Sequence, residues 1–204
     1  NLGKVLNEQQ LDELDVFGRY LDVDGDGVCY RTIPGTHPTK GSFFTRGTSR
    51  DEYAKYTEDG QVYVKVVDRL TKKWNTAKKM VPTAQLYQDN YQSNIGILFF
   101  GTTTYSALEA MDMLQAKGHV VDAIRVRAFP FDESIESFIN QHDYIFVIEQ
   151  NRDAQFRSLL MNELNSNPMK LIPILNYDGM PITANTIVDK IEKVSREITE
   201  LLNE

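Results

Sequence analysis

The sequence has one cysteine, three histidines and one tryptophan in 204 residues. A lone Cys29 excludes an internal disulfide and a four-cysteine iron–sulfur cluster within this chain, and it suits a reducing cytoplasm. His37, His119 and His142 lack zinc-ligand spacing. Long apolar runs are missing too. The longest, Ile95 to Phe100, is far short of the ~20 residues that cross a bilayer. Net positive charge is also lacking. The formal charge is −7, and the basic residues are scattered apart from Lys72-Lys73 and Lys78-Lys79, so a general nucleic-acid surface is disfavoured. No secretory leader is legible at Asn1-Leu2-Gly3-Lys4. A start on Asn rather than Met points to a piece of a longer protein.

With 41% hydrophobic and 25% charged residues, the chain has the composition of a globular protein. Two textures divide it. Residues 1 to about 92 read as a loop-rich linker, and residues 93–204 as an α/β domain. In the first part, Glu8 to Tyr20 has the pattern of a short helix. Leu21 to Gly47 is too rich in glycine and proline for regular elements. A loop that long more often crosses a neighbouring surface or covers a site. Tyr63, Val66, Val67, Leu70, Trp74 and Ala77 then fall at helical spacing. They predict a helix near 59–80, stopped by Pro82. The favoured reading packs that stripe on its own domain; the other docks it on another subunit.

The second part reads β-α-β-α-β-α-β-α. The strands are Ile95–Phe100, Val120–Arg127, Tyr144–Ile148 and Leu171–Leu175. The first helix runs from about Tyr105 to Lys117, with Gly118 at its left-handed cap. Asp132, Asp153 and Thr183 are placed to cap the helices that follow. Alternating strands and helices require crossovers, which are right-handed. The expected product is a three-layer α/β/α arrangement around a mostly parallel sheet. Four strands are the minimum, and an antiparallel edge strand can be added.

Few motifs carry chemistry. Gly101-Thr102-Thr103-Thr104 opens a helix, where backbone N–H groups and hydroxyls can hold an anion. It matches neither the Walker loop nor the dinucleotide fingerprint. A glycine turn with a threonine N-cap is the favoured reading. The rival is a regulatory module that binds a phosphate-bearing metabolite such as coenzyme A. Asp22-Val23-Asp24-Gly25-Asp26-Gly27 opens like a calcium loop, but the twelfth position, where a glutamate is required, is Ile33. Gly25-Asp26-Gly27 also opens like a thiamine diphosphate motif, whose later asparagine pair is missing from Thr48 to Glu58. Glu149, Asn151, Arg152 and Asp153 follow the third strand abruptly. They suit interface ion pairing, or equally salt bridging and capping among themselves. Arg31, Arg46, Asp51 and Glu52 form further interface candidates. No nucleophile with a paired base can be read from the chain.

Several segments are similar to a known family. Gly18-Arg19-Tyr20-Leu21-Asp22-Val23-Asp24-Gly25-Asp26-Gly27, Tyr30-Arg31-Thr32-Ile33-Pro34-Gly35-Thr36-His37-Pro38, Phe44-Thr45-Arg46-Gly47-Thr48 and Tyr56-Thr57-Glu58-Asp59 resemble the α subunit of 2-oxoacid:ferredoxin oxidoreductases of the 2-oxoglutarate type. Glu149-Gln150-Asn151-Arg152-Asp153-Ala154-Gln155 resembles the matching stretch of that subunit's last domain. The resemblance is collinear over essentially the whole chain. It implies the linker after an absent pyrimidine-binding domain, followed by a transketolase C-terminal-like domain. The parent complex it implies uses thiamine diphosphate, magnesium, an iron–sulfur cluster and coenzyme A. Its partners would be a β subunit, the remaining α-subunit domains and, through the complex, ferredoxin, in an oligomeric cytoplasmic enzyme. The family's catalytic glutamate belongs to the absent domain. The fragment is therefore expected to be structural, with no catalytic residue, no metal and no cofactor of its own.

Overall fold

Short β-branched and aromatic runs, each ended by a turn, build a sheet whose two faces both need cover. The computed structural model describes residues 3–45, 49–87 and 93–202. The chain forms two compact units, Asn1–Met80 and Val81–Glu204.

The second unit holds five strands: β1 (Gln85–Tyr87), β2 (Ile95–Phe100), β3 (Asp122–Val126), β4 (Tyr144–Glu149) and β5 (Leu171–Leu175). Their order across the sheet is β1-β3-β2-β4-β5. β3, β2, β4 and β5 are parallel, and β1 pairs antiparallel with the outer side of β3. This is the mostly parallel α/β sheet that the residue pattern predicts, with the antiparallel edge strand added. Pro173 lies on edge strand β5, where a missing N–H is tolerated.

Strand alternation sorts the core onto two faces. Ile97 and Phe99 of β2 and Phe146 and Ile148 of β4 join a buried cluster with α3 (Thr104–Ala116) and α6 (Ala184–Leu202). Leu98, Ile145 and Val147 join the opposite cluster with α4 (Glu133–Gln141) and α5 (Gln155–Leu164). Each fully buried Leu, Ile or Phe contributes about 1.5–3 kcal/mol. Gly96 is required for close packing, because a Cβ there would meet Phe138 and Ile145 at 2.7 Å. Asp132 caps α4 by accepting from Ser134 N at 2.9 Å, and Thr183 Oγ1 accepts from Thr186 N at the start of α6. Gly118, at φ +85°, ends α3 as the sequence predicts.

The first unit is built differently. The helix expected from Glu8 is only α1 (Glu8–Asp12), closed by a reciprocal Asn7/Gln10 capping box. Beyond Asp12 the apolar residues no longer keep helical spacing, and two glycines follow within the next thirteen residues. The long helix is α2 (Gly60–Lys78), capped by Asp59 and without a buried residue. It meets the loop at 22–28 through polar ties. Arg69 donates to Gly27 O at 2.9 Å, and Thr76 Oγ1 donates to Asp26 O at 2.6 Å. Gly27 lies so near Lys73 N that a Cβ would sit 2.3 Å away.

Candidate functional site

Open α/β sheets gather sites beyond the carboxyl ends of their strands, where the strand order reverses. Here β2 lies between β3 and β4, so the reversal sits at the ends of β2 and β4. The two motifs singled out above, Gly101–Thr104 and Glu149–Asp153, both emerge there.

At the end of β2, Gly101 turns the chain at φ +58° into a 3-10 turn (Gly101–Thr103) that leads directly into α3. No threonine side chain caps that helix. Thr104 Oγ1 instead donates backward to Gly101 O at 2.7 Å. Thr103 and Thr104 are buried, whereas Gly101 and Thr102 are exposed. At the end of β4, Gln150 joins three loops. Its Nε2 donates to Thr103 Oγ1 at 3.2 Å, and its Oε1 accepts from Ile182 N at 3.3 Å, beyond β5. Sequence reasoning passed over Gln150. The available signal was strand alternation, which sends Glu149 and Gln150 to opposite faces.

Glu149 is fully buried. Its carboxylate accepts from Asn151 Nδ2 at 2.6 Å, Phe156 N at 2.7 Å and Arg157 N at 3.2 Å. Asn151 Oδ1 accepts from Asp153 N and Gln155 N. The orphan N–H groups at the start of α5 are thus satisfied by the Asn151 amide oxygen at Gln155 and by a carboxylate from the preceding strand at Phe156 and Arg157, and the helix dipole reinforces that anion. Asp153 does not cap α5, contrary to the sequence expectation. It accepts from Arg152 Nε in an exposed pair at 2.8 Å. Ala154 holds the N-cap position in a left-handed conformation, φ 49°. The lesson is local: a buried strand-end carboxylate displaces a nearer, solvated one as the cap.

In the first unit, Asp51 Oδ1 accepts from Tyr53 N and Lys55 N, forming a tight turn. Glu52 pairs with Lys65 of α2 at 2.8 Å. Arg31 is exposed and joins Val5 in an isolated parallel bridge. Arg46 lies outside the described residues. The Lys4 ammonium lies 2.6 Å from Asp24 and 2.8 Å from Asp26 and also donates to Val28 O. It takes up the carboxylates that a calcium reading of this loop would assign to a metal. Hydrogen bonding to those carboxylates raises the Lys4 pKa, and Lys4 in turn lowers that of Asp26.

The arrangement offers little for acid–base or covalent chemistry. Burial pushes the Cys29 thiol up, away from thiolate character. His37 Nδ1 accepts from Thr39 N and Lys40 N, and Nε2 faces Asp12, so both nitrogens are engaged. His142 is buried between Phe138 O and Asp122. Among the described residues, no three His, Cys, Asp or Glu side chains gather to hold a metal ion. None of their helices is long and apolar enough to cross a membrane.

No family model matches the chain. It is 24% identical over 197 residues to 2-oxoacid:ferredoxin oxidoreductase 2, subunit alpha, of Aeropyrum pernix, with 94% of this chain and 29% of that protein aligned. The 2-oxoacid:ferredoxin oxidoreductase subunit alpha of Saccharolobus solfataricus is 26% identical over 72% of this chain and 24% of its own length. Both of these relatives are α subunits of 2-oxoacid:ferredoxin oxidoreductases. The chain spans about a quarter to a third of the length of these subunits. The fold matches a chain of 2-oxoglutarate:ferredoxin oxidoreductase from Magnetococcus marinus, whose structure contains 2-oxoglutarate, coenzyme A and succinyl-CoA. The TM-score is 0.77 and the identity 21%, over 89% of this chain and 31% of that one.

Proposed function

We propose that this chain is the C-terminal part of the α subunit of a 2-oxoacid:ferredoxin oxidoreductase of the 2-oxoglutarate type, and that it mounts the catalytic parts of the enzyme without catalysing a step. The parent complex would decarboxylate the 2-oxoacid oxidatively, form the acyl-CoA and pass electrons to ferredoxin. Residues 1–92 would follow a pyrimidine-binding domain and lie against neighbouring domains. Residues 93–204 would form the transketolase C-terminal-like domain. The β subunit and the rest of the α subunit would be its partners.

The collinear similarity carries this reading, because it runs through 94% of the chain while taking up 29% of the Aeropyrum subunit. The donor set agrees. A four-thiolate cluster needs four cysteines where this chain has one. The carboxylates at the sheet edge are committed to backbone N–H groups and ion pairs. These residues do not fit thiamine diphosphate, magnesium or an iron–sulfur cluster, so no reaction step is assigned to them. What they supply is an α/β block with a buried core on each sheet face, and a polar first unit with a long surface helix.

Reconstitution tests the proposal. The chain, the remaining α-subunit domains and the β subunit would be produced separately and mixed. Ferredoxin reduction with 2-oxoglutarate and coenzyme A should appear only when all are present. Turnover by the chain alone overturns the reading, as does full activity without it.

A further inference from the structure

We infer that the second unit carries a binding site for a small amphipathic anion, an apolar body bearing one carboxylate, in a cleft over the carboxyl ends of β3 and β2. This inference does not depend on the function proposed above. The cleft encloses about 470 Å3 and is walled on one side by α5. That volume lies within the roughly 300–1,000 Å3 of typical small-molecule pockets. It also lies at the carboxyl ends of the strands, beside the reversal between β2 and β4.

Four phenylalanines line it in a chain. Phe100 and Phe156 are 4.6 Å apart between ring centroids, Phe156 and Phe131 6.1 Å, and Phe131 and Phe129 5.0 Å. Phe131 and Phe156 are buried, while Phe100 and Phe129 remain 40% and 41% exposed. The inner pair is fixed by the core, and the outer pair leaves apolar area in water at a cost. A larger cavity of about 700 Å3, lined by Leu114, His119, Val121 and Ile191, lies at the amino ends of the strands, away from the reversal point. Size alone would favour it, but topology favours the phenylalanine cleft.

Charge decides the class of ligand. Arg127, the residue after β3, lines the cleft and is exposed. It makes one long bond, 3.5 Å from Nη1 to Thr83 O, and forms no ion pair among the described residues. The nearby acids are engaged elsewhere. Asp132 accepts from Ala84 N and Ser134 N, Asp153 pairs with Arg152, and Glu149 caps α5. A guanidinium with a single hydrogen bond among the described residues, beside an aromatic wall, suits a carboxylate joined to a ring or branched chain.

The test uses the 204-residue chain, 15N-labelled, titrated with 3-phenylpropionate and with its neutral amide. Phenylpropionate should shift amides at Phe100–Thr102, Val126–Phe129 and Asn151–Phe156 saturably, and the amide should bind at least about tenfold more weakly, as expected for loss of a charge-assisted contact. Arg127→Gln should bring the two affinities together. Phe129→Ala should weaken both probes. Unchanged dispersion elsewhere in the spectrum verifies that each variant retains the fold. Equal affinity of acid and amide in the unsubstituted chain, shifts confined to residues 1–80, or no saturation within solubility would each overturn the inference.

Discussion

The two units of this chain reach order by different means. In Val81–Glu204, both sheet faces are closed by large apolar clusters. In Asn1–Met80, the buried hydrophobic residues among those described are Leu6, Leu11 and Ala54. There α2 is tied to its loop by Arg69, Thr76 and an ion pair from Lys72 to Asp22, while Tyr63, Val67 and Leu70 stay exposed. Polar ties set geometry but give little net stability, and surface ion pairs give less. One unit therefore carries its own core. The other holds together with few buried apolar side chains among its described residues.

The sharpest way to break the contrast is to damage the core. Phe146→Ala removes a ring buried among β2, β4 and α6 and should destabilise the second unit by about 3–5 kcal/mol. Urea unfolding followed by amide signals should show the 81–204 transition moving to lower denaturant, with the Arg69 and Thr76 amides unaffected. A single shared transition would show that the units fold as one. Next in size is the cap. Glu149→Gln leaves one oxygen for the N–H groups of Phe156 and Arg157 and turns an amide group among donors, at a cost of roughly 2–3 kcal/mol. Asp153→Asn, which touches only an exposed pair, should change stability by less than about 0.5 kcal/mol. An equal effect of the two would return the capping role to Asp153. Ala154→Gly works in the opposite direction. Relieving a left-handed alanine should stabilise by up to about 1 kcal/mol, after the added freedom of the unfolded chain is discounted.

The sheet was legible because its strands are short apolar runs between strong punctuation. Gly118, Asp132 and Thr183 act where their chemistry places them. β1 is only three residues, Gln85–Tyr87, and its pairing to β3 is a tertiary event with no periodicity to reveal it. The Glu149 cap hides for a related reason. The carboxylate is seven residues ahead of Phe156, beyond the spacing of any helix-start signal, and reaches it only because the strand ends beneath the helix. The Gly101–Thr104 and Glu149–Asp153 motifs were visible separately. Their junction through Gln150 follows from the strand order, which alternating patterns alone do not dictate.

The first unit offers the subtlest test, because its ties are electrostatic. Lys4→Met removes the ammonium between Asp24 and Asp26, and hydrogen exchange from Asp22 to Val28 should quicken while the second unit is unchanged. The pH dependence has a defined sign. Lys4 is raised above its usual 10.5, so its contribution is fully present below that value and is lost as pH rises through the higher folded value. Asp26 is lowered from 3.8, so its contribution is present above 3.8 and is lost as pH falls through the lower folded value. Between those limits the loop's protection, its exchange rate relative to the intrinsic rate at each pH, should stay constant, and added salt should lower that protection throughout. Smallest of all in the isolated chain is Leu70→Ser. Leu70 is 47% exposed, so stability should stay within about 0.5 kcal/mol. If the stripe on α2 exists to be covered in the complex proposed above, the same substitution should weaken assembly with that complex's other components by about tenfold or more, the scale of a central interface contact. Analytical ultracentrifugation of the mixed components measures this directly. A substitution silent in both settings would leave α2 an ordinary surface helix, and the exposed stripe would carry no argument for an interface.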